Sequence, residues 1–108
     1  AKYSLEDIYS SMYELVKYQY FNEITYGNEV ENGKPAPDIF LKACEKLNVE
    51  PQKALVLEDS EAGIQSGFSA NIPTICIPDM KYPEEKYVNM TVKVLKDLKE
   101  VIDFLRGY

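Results

Sequence analysis

Apolar positions recur along this chain with two periods, and the alternation between them predicts its fold. Leu5, Ile8, Tyr9, Met12, Leu15 and Val16 follow helical spacing, with Ser4 as cap and Asp7 in the first turn, which predicts a helix over about 4–18. "EITYG" reads as a short strand ending at Gly27, and the polar loop "NEVENGKPAP" after it carries a glycine and two prolines that oppose regular structure. Pro37 suits the first turn of a helix whose apolar stripe, Ile39, Phe40, Ala43 and Leu47, runs until "NVEP" breaks it. "ALVLE", residues 54–58, is a short apolar run of the kind expected in a strand covered on both faces. Ser60 can cap a helix over about 61–69, and Asn71 can take the left-handed conformation that ends it. "PTICIP" is a second buried strand and "TVKVL" a weaker one, separated by a polar, tyrosine-bearing stretch at 79–90. Leu98, Val101, Ile102 and Leu105 mark a closing helix.

Helices alternating with short apolar strands indicate an α/β protein, a three-layer Rossmann-like sandwich with a mainly parallel sheet. With 108 residues, the chain is expected to form a single domain, 1–108. In such sheets ligands bind beyond the carboxyl ends of the strands. Glu58 and Asp59 stand at one of those ends.

Composition narrows the partners. A balance of 12 basic against 18 acidic residues, net −6, repels phosphate backbones and anionic lipid, so neither nucleic acid nor a membrane surface is expected as a partner. No apolar run approaches the roughly 18 residues of a membrane span, and no basic-then-apolar leader is visible, so the expected location is cytoplasmic. Cys44 and Cys76 lack CxxC spacing and read as reduced, packed thiols. The chain has no histidine, which removes the usual zinc sites and every triad built on imidazole. Chemistry is left to carboxylates, lysine, hydroxyls or a hard metal ion.

Two adjacent carboxylates at the end of an apolar strand repel each other unless a cation or hydrogen-bond donors compensate. Mg²⁺ would do so, since it takes oxygen ligands and commonly only one or two protein carboxylates. A strand that simply exits to solvent, with its acids hydrated, accounts for the same pair. A nucleotide-binding strand needs a phosphate loop, and "GNEVENGKP" fails as one: Asn28 stands where the earlier glycine belongs, and Pro35 replaces the required Ser or Thr. Lys34 is then a lone ammonium in a loop stiffened by Pro35 and Pro37, or an ordinary solvated lysine.

The order G-K-P-x-P, helix, apolar strand ending in E-D-S, then x-A-G-I opening another helix, resembles the haloacid dehalogenase superfamily. Residues 32–79 look like the second half of its catalytic core, within the β-phosphoglucomutase and phosphatase group, and the likeness extends back through "FNEITYGNEV". The resemblance implies that Lys34 is the catalytic lysine that pairs with the nucleophilic aspartate and the transferring phosphoryl group. It implies that Glu58 and Asp59 bind Mg²⁺, and that backbone N–H groups at Ser60 and Glu61 lie near the phosphate. It further implies a phosphohydrolase or phosphomutase acting on a small phosphorylated metabolite through an aspartyl-phosphate. Two positions depart from the family pattern: Asn28 replaces Asp and Asn71 replaces Gly.

The family nucleophile lies in D-x-D-x-[TV], and no D-x-D occurs in these 108 residues. The chain, which begins at Ala1, therefore reads as a piece of a longer protein, a partial core without its first two strands and cap, inactive by itself. Without those strands one edge of "ALVLE" lacks its family neighbours, so self-association through an open sheet edge is expected unless "EITYG" pairs there. The alternative is a non-catalytic α/β module with a degenerate site, for which nine tyrosines and "MKYPEEKYVNM" offer contact surface.

Overall fold

The computed structural model describes residues 27–106; the helix expected over 4–18 and most of the "EITYG" strand lie outside them. Three parallel strands form a sheet of order β1-β2-β3: β1 (Val56–Glu58), β2 (Thr74–Cys76) and β3 (Lys93–Val94). Val56 lies opposite Thr74 and Glu58 opposite Cys76, while Ile75 and Cys76 align with Lys93 and Val94. The helices are α1 (Asp38–Leu47), α2 (Glu61–Ser69), a short α3 (Glu85–Val88) and α4 (Leu98–Arg106). The fold is α/β with a parallel sheet, as the alternation of periods predicts.

Central β2 is buried at all three residues, as a strand with neighbours on both sides must be. β1 departs from expectation. It begins at Val56 rather than Ala54, because Ala54 closes a 3-10 turn over Pro51–Lys53, and of its residues only Val56 is fully buried. Among the described residues β1 pairs with β2 alone, so only one of its two edges has a described partner. Cys44, Val56, Ala70 and Ile72 form a buried cluster against which Phe40 and Ala54 pack, while Ile64, Ile75 and Val101 are also buried. Both cysteines are free and buried, as expected.

Helix ends follow local chemistry. Asn48 and Asn71 take φ of 56° and 60°, the left-handed conformation that asparagine tolerates better than most residues. Pro37 serves as N-cap of α1 rather than standing in its first turn. Asp97 accepts the Glu100 N–H at 2.8 Å and the Glu100 carboxylate accepts the Lys96 N–H at 2.8 Å, a reciprocal cap that starts α4. The stretch 79–90 contains α3, which the sequence pattern does not signal. No helix among the described residues is long and apolar enough to cross a membrane.

Candidate active site at the carboxyl end of β1

The chain reverses at the end of β1 into the N-terminus of α2. There Ser60, extended at φ −120°, accepts the Gly63 N–H at 3.0 Å and caps the helix. The same turn sets the Glu58 carboxylate against α2. A Cβ on Gly63 would collide with the Glu58 carboxyl group, so this glycine is absent a side chain where the acid needs room. One oxygen of Glu58, Oε2, accepts from Lys34 Nζ at 2.5 Å. The other, Oε1, accepts the Ser60 hydroxyl at 3.4 Å and the Asp59 N–H at 3.3 Å.

Burial of the ion pair is unequal. The Glu58 side chain is 10% exposed and that of Lys34 37% exposed, so the acid is largely buried while the lysine is partly open to solvent. Lys34 Nζ also lies 5.1 Å from the centre of the Phe40 ring, within cation–π range. Asp59 is exposed beside the pair. Cys76, opposite Glu58 in the sheet, has its thiol pushed above the ordinary range, chiefly by burial and further by the charges of Asp59 and Glu58. The negative field at this strand end therefore reaches the neighbouring strand.

The Lys34 loop has its own ties. Asn32 donates through its backbone N–H and its side-chain amide to Asp38 Oδ2, at 3.1 and 3.2 Å. The Ala36 N–H reaches the Gly33 carbonyl at 3.0 Å, and the Ser66 hydroxyl donates to the Ala36 carbonyl at 2.6 Å. The Lys34–Pro35 peptide bond is cis.

Of the residues singled out from sequence, Lys34, Glu58 and Ser60 meet in one hydrogen-bonded group, with Asp59 adjoining. Glu61, singled out for its backbone N–H, uses its side chain elsewhere: the carboxylate accepts the Glu84 N–H at 2.9 Å and so anchors the loop leading to α3. Among the described residues no three His, Cys, Asp or Glu side chains gather as a metal-binding group. Sequence reasoning missed Asn32, Asp38 and Ser66. Ser66 alone left a signal, as a hydroxyl on the apolar side of α2 between Ile64 and Gly67.

Residues 3–77 match the family model described as haloacid dehalogenase-like hydrolase. The chain belongs to this family. A phosphorylated carbohydrates phosphatase of Thermotoga maritima is 46% identical over 57 residues, which cover 53% of this chain and 26% of that protein. The crystal structure of a candidate β-phosphoglucomutase, also from Thermotoga maritima, superposes with a TM-score of 0.70 at 28% identity, over 95% of this chain and 48% of that one. The structure of CbbY from Rhodobacter sphaeroides in complex with phosphate gives a TM-score of 0.68 at 30% identity, over 78% and 37%. The family fold here is thus a partial Rossmann-like core, and each of these three matches spans less than half of its relative. Phosphatase and phosphoglucomutase activities are named for these relatives, of whose length the chain spans only part.

Proposed function

We propose that the parent protein is a Mg²⁺-dependent phosphohydrolase or phosphomutase for a small phosphorylated metabolite, and that this chain carries the cationic half of its site. The observation carrying the reading is the contact between Lys34 and Glu58, 24 residues apart, at the carboxyl end of a parallel strand. A phosphoryl group in transfer gathers charge on its oxygens and is stabilised chiefly by positioned cations. Lys34 supplies one such cation, partly open to solvent, on a loop tied at three points.

Mg²⁺ supplies the second, offsetting phosphoryl charge when bound. Glu58 and Asp59 would hold it: both offer hard oxygen donors, and one or two protein carboxylates are a common Mg²⁺ complement, with water and phosphate filling the shell. The N-terminal backbone N–H groups of α2 at Ser60 and Glu61 favour an anion nearby. The family's nucleophilic aspartate is not among these 108 residues, so the chain alone is expected to release no phosphate from p-nitrophenyl phosphate in Mg²⁺. Release that Lys34→Ala abolishes would overturn this division of the site.

A non-catalytic module is the rival reading, favoured by Met80 and Tyr82, which are 96% and 64% exposed. Reading the gene upstream of Ala1 separates the two: D-x-D-x-[TV] there makes an enzyme, and its absence makes a module. The outer edge of β1 invites pairing in the isolated chain. Size-exclusion chromatography of that chain is expected to show self-association, and a monomer would count against it.

A further inference from the structure

We propose that Ser66 is a positioning residue: its hydroxyl fixes the loop that carries Lys34 and so sets where the ammonium stands relative to Glu58. The importance of that placement for phosphate rests on the function proposed above.

Lys34 sits outside any helix or strand, so its loop has no regular ladder to define its place. Two of the loop's ties are local: the Ala36 to Gly33 turn closes within the loop, and the exposed bonds from Asn32 to Asp38 join it to the start of α1. Neither refers the lysine to the strand end where Glu58 lies. The Ser66 bond does, because it comes from α2 and spans 30 residues of sequence to reach Ala36, two residues from Lys34.

That bond is suited to a fixed reference point. Ser66 is fully buried and its hydroxyl lies 2.6 Å from the carbonyl, where low dielectric strengthens a hydrogen bond and makes an unpaired carbonyl costly. α2 thereby holds both members of the ion pair. At its N-terminus Ser60 touches Glu58 and Gly63 makes room for that carboxylate; one turn further on, Ser66 holds the lysine's loop. The Lys34 ammonium is partly exposed and long-stemmed, so its location depends on where the backbone at 34–36 is held.

The alternative is that Ser66 only satisfies a buried carbonyl and contributes to stability without bearing on Lys34. A double-mutant cycle between Lys34→Met and Glu58→Gln, read as melting temperature in the parent chain and again in Ser66→Ala, separates the two. A positioning role predicts that the coupling between Lys34 and Glu58 falls by about half or more in Ser66→Ala. Equal coupling in both backgrounds, with every Ser66→Ala protein simply melting lower, overturns the proposal. Should Ser66→Ala fail to fold, Ser66→Cys, close in size with a far weaker donor, carries the same cycle.

A second arm titrates inorganic phosphate in the presence of Mg²⁺. Binding is expected to weaken roughly fivefold in Ser66→Ala, the equivalent of one net hydrogen bond. If the parent chain itself binds no phosphate, the functional reading loses support while the coupling cycle still decides the role of Ser66.

Discussion

At the scale of single residues, two glycines four apart on α2 make opposite predictions. A Cβ at Gly63 meets the flexible Glu58 side chain, which can swing aside, whereas a Cβ at Gly67 meets the Oγ1 of buried Thr74, already bonded to the Ile72 carbonyl at 3.0 Å. Gly63→Ala is therefore expected to change stability by no more than about 1 kcal/mol, with the helical gain of alanine offsetting the displaced acid. It should still separate Glu58 from Lys34. Gly67→Ala is expected to cost about 1–3 kcal/mol, because the overpacked atom belongs to a side chain that cannot leave. Urea denaturation of the two variants checks the contrast. The sequence made Lys34, Glu58 and Asp59 legible because carboxylates and lysine at fixed distances from a strand and a helix start form a pattern. It left the partner of Ser66 obscure, because a hydroxyl on the apolar side of a helix does not name the carbonyl, 30 residues earlier, that the fold places beside it.

At the scale of elements, the helix expected to open at Pro37 and the one at 61–69 appear, as do shorter strands inside 54–58 and 73–78, because apolar periodicity and end signals agree there. Asn48, Ser60 and Asn71 show why the ends were readable, each being a residue whose side chain or backbone preference stops or starts a helix. The shortening of β1 was not readable, since hydrogen bonding to Pro73 and Thr74 decides where pairing begins. α3 was missed for a similar reason. Its start depends on the distant Glu61 carboxylate that receives the Glu84 N–H. The cap at Ser60 is testable by itself: Ser60→Ala is expected to destabilise the protein by about 1 kcal/mol, measured as a lower urea midpoint. It should also loosen Glu58, because the lost hydroxyl is shared between the Gly63 N–H and that carboxylate.

At the scale of the whole molecule, two buried thiols tie stability to alkaline pH. Burial raises Cys44, and burial with the Asp59 and Glu58 charges raises Cys76, above the ordinary thiol value of about 9. The folded state therefore keeps its thiol protons at a pH where the unfolded chain releases them. This contribution is complete below about pH 9 and is lost as pH rises from there through the raised folded values. The urea midpoint should fall across that window, and fall less in the Cys76→Ala variant than in the parent chain. The same acids that raise Cys76 are those proposed above to hold the metal, so the field at the carboxyl end of the sheet is a property of the assembled fold.

The central claim is that Lys34, together with a Mg²⁺ ion that Glu58 and Asp59 would hold, forms the cationic half of a phosphoryl-transfer site. Its most direct measurement is the turnover of p-nitrophenyl phosphate by the full-length parent protein in Mg²⁺, set against Lys34→Ala. The predicted result is magnesium-dependent turnover that falls by about 10²–10³-fold in Lys34→Ala, the scale of losing one group aimed at developing charge. Turnover left unchanged by Lys34→Ala would contradict the account.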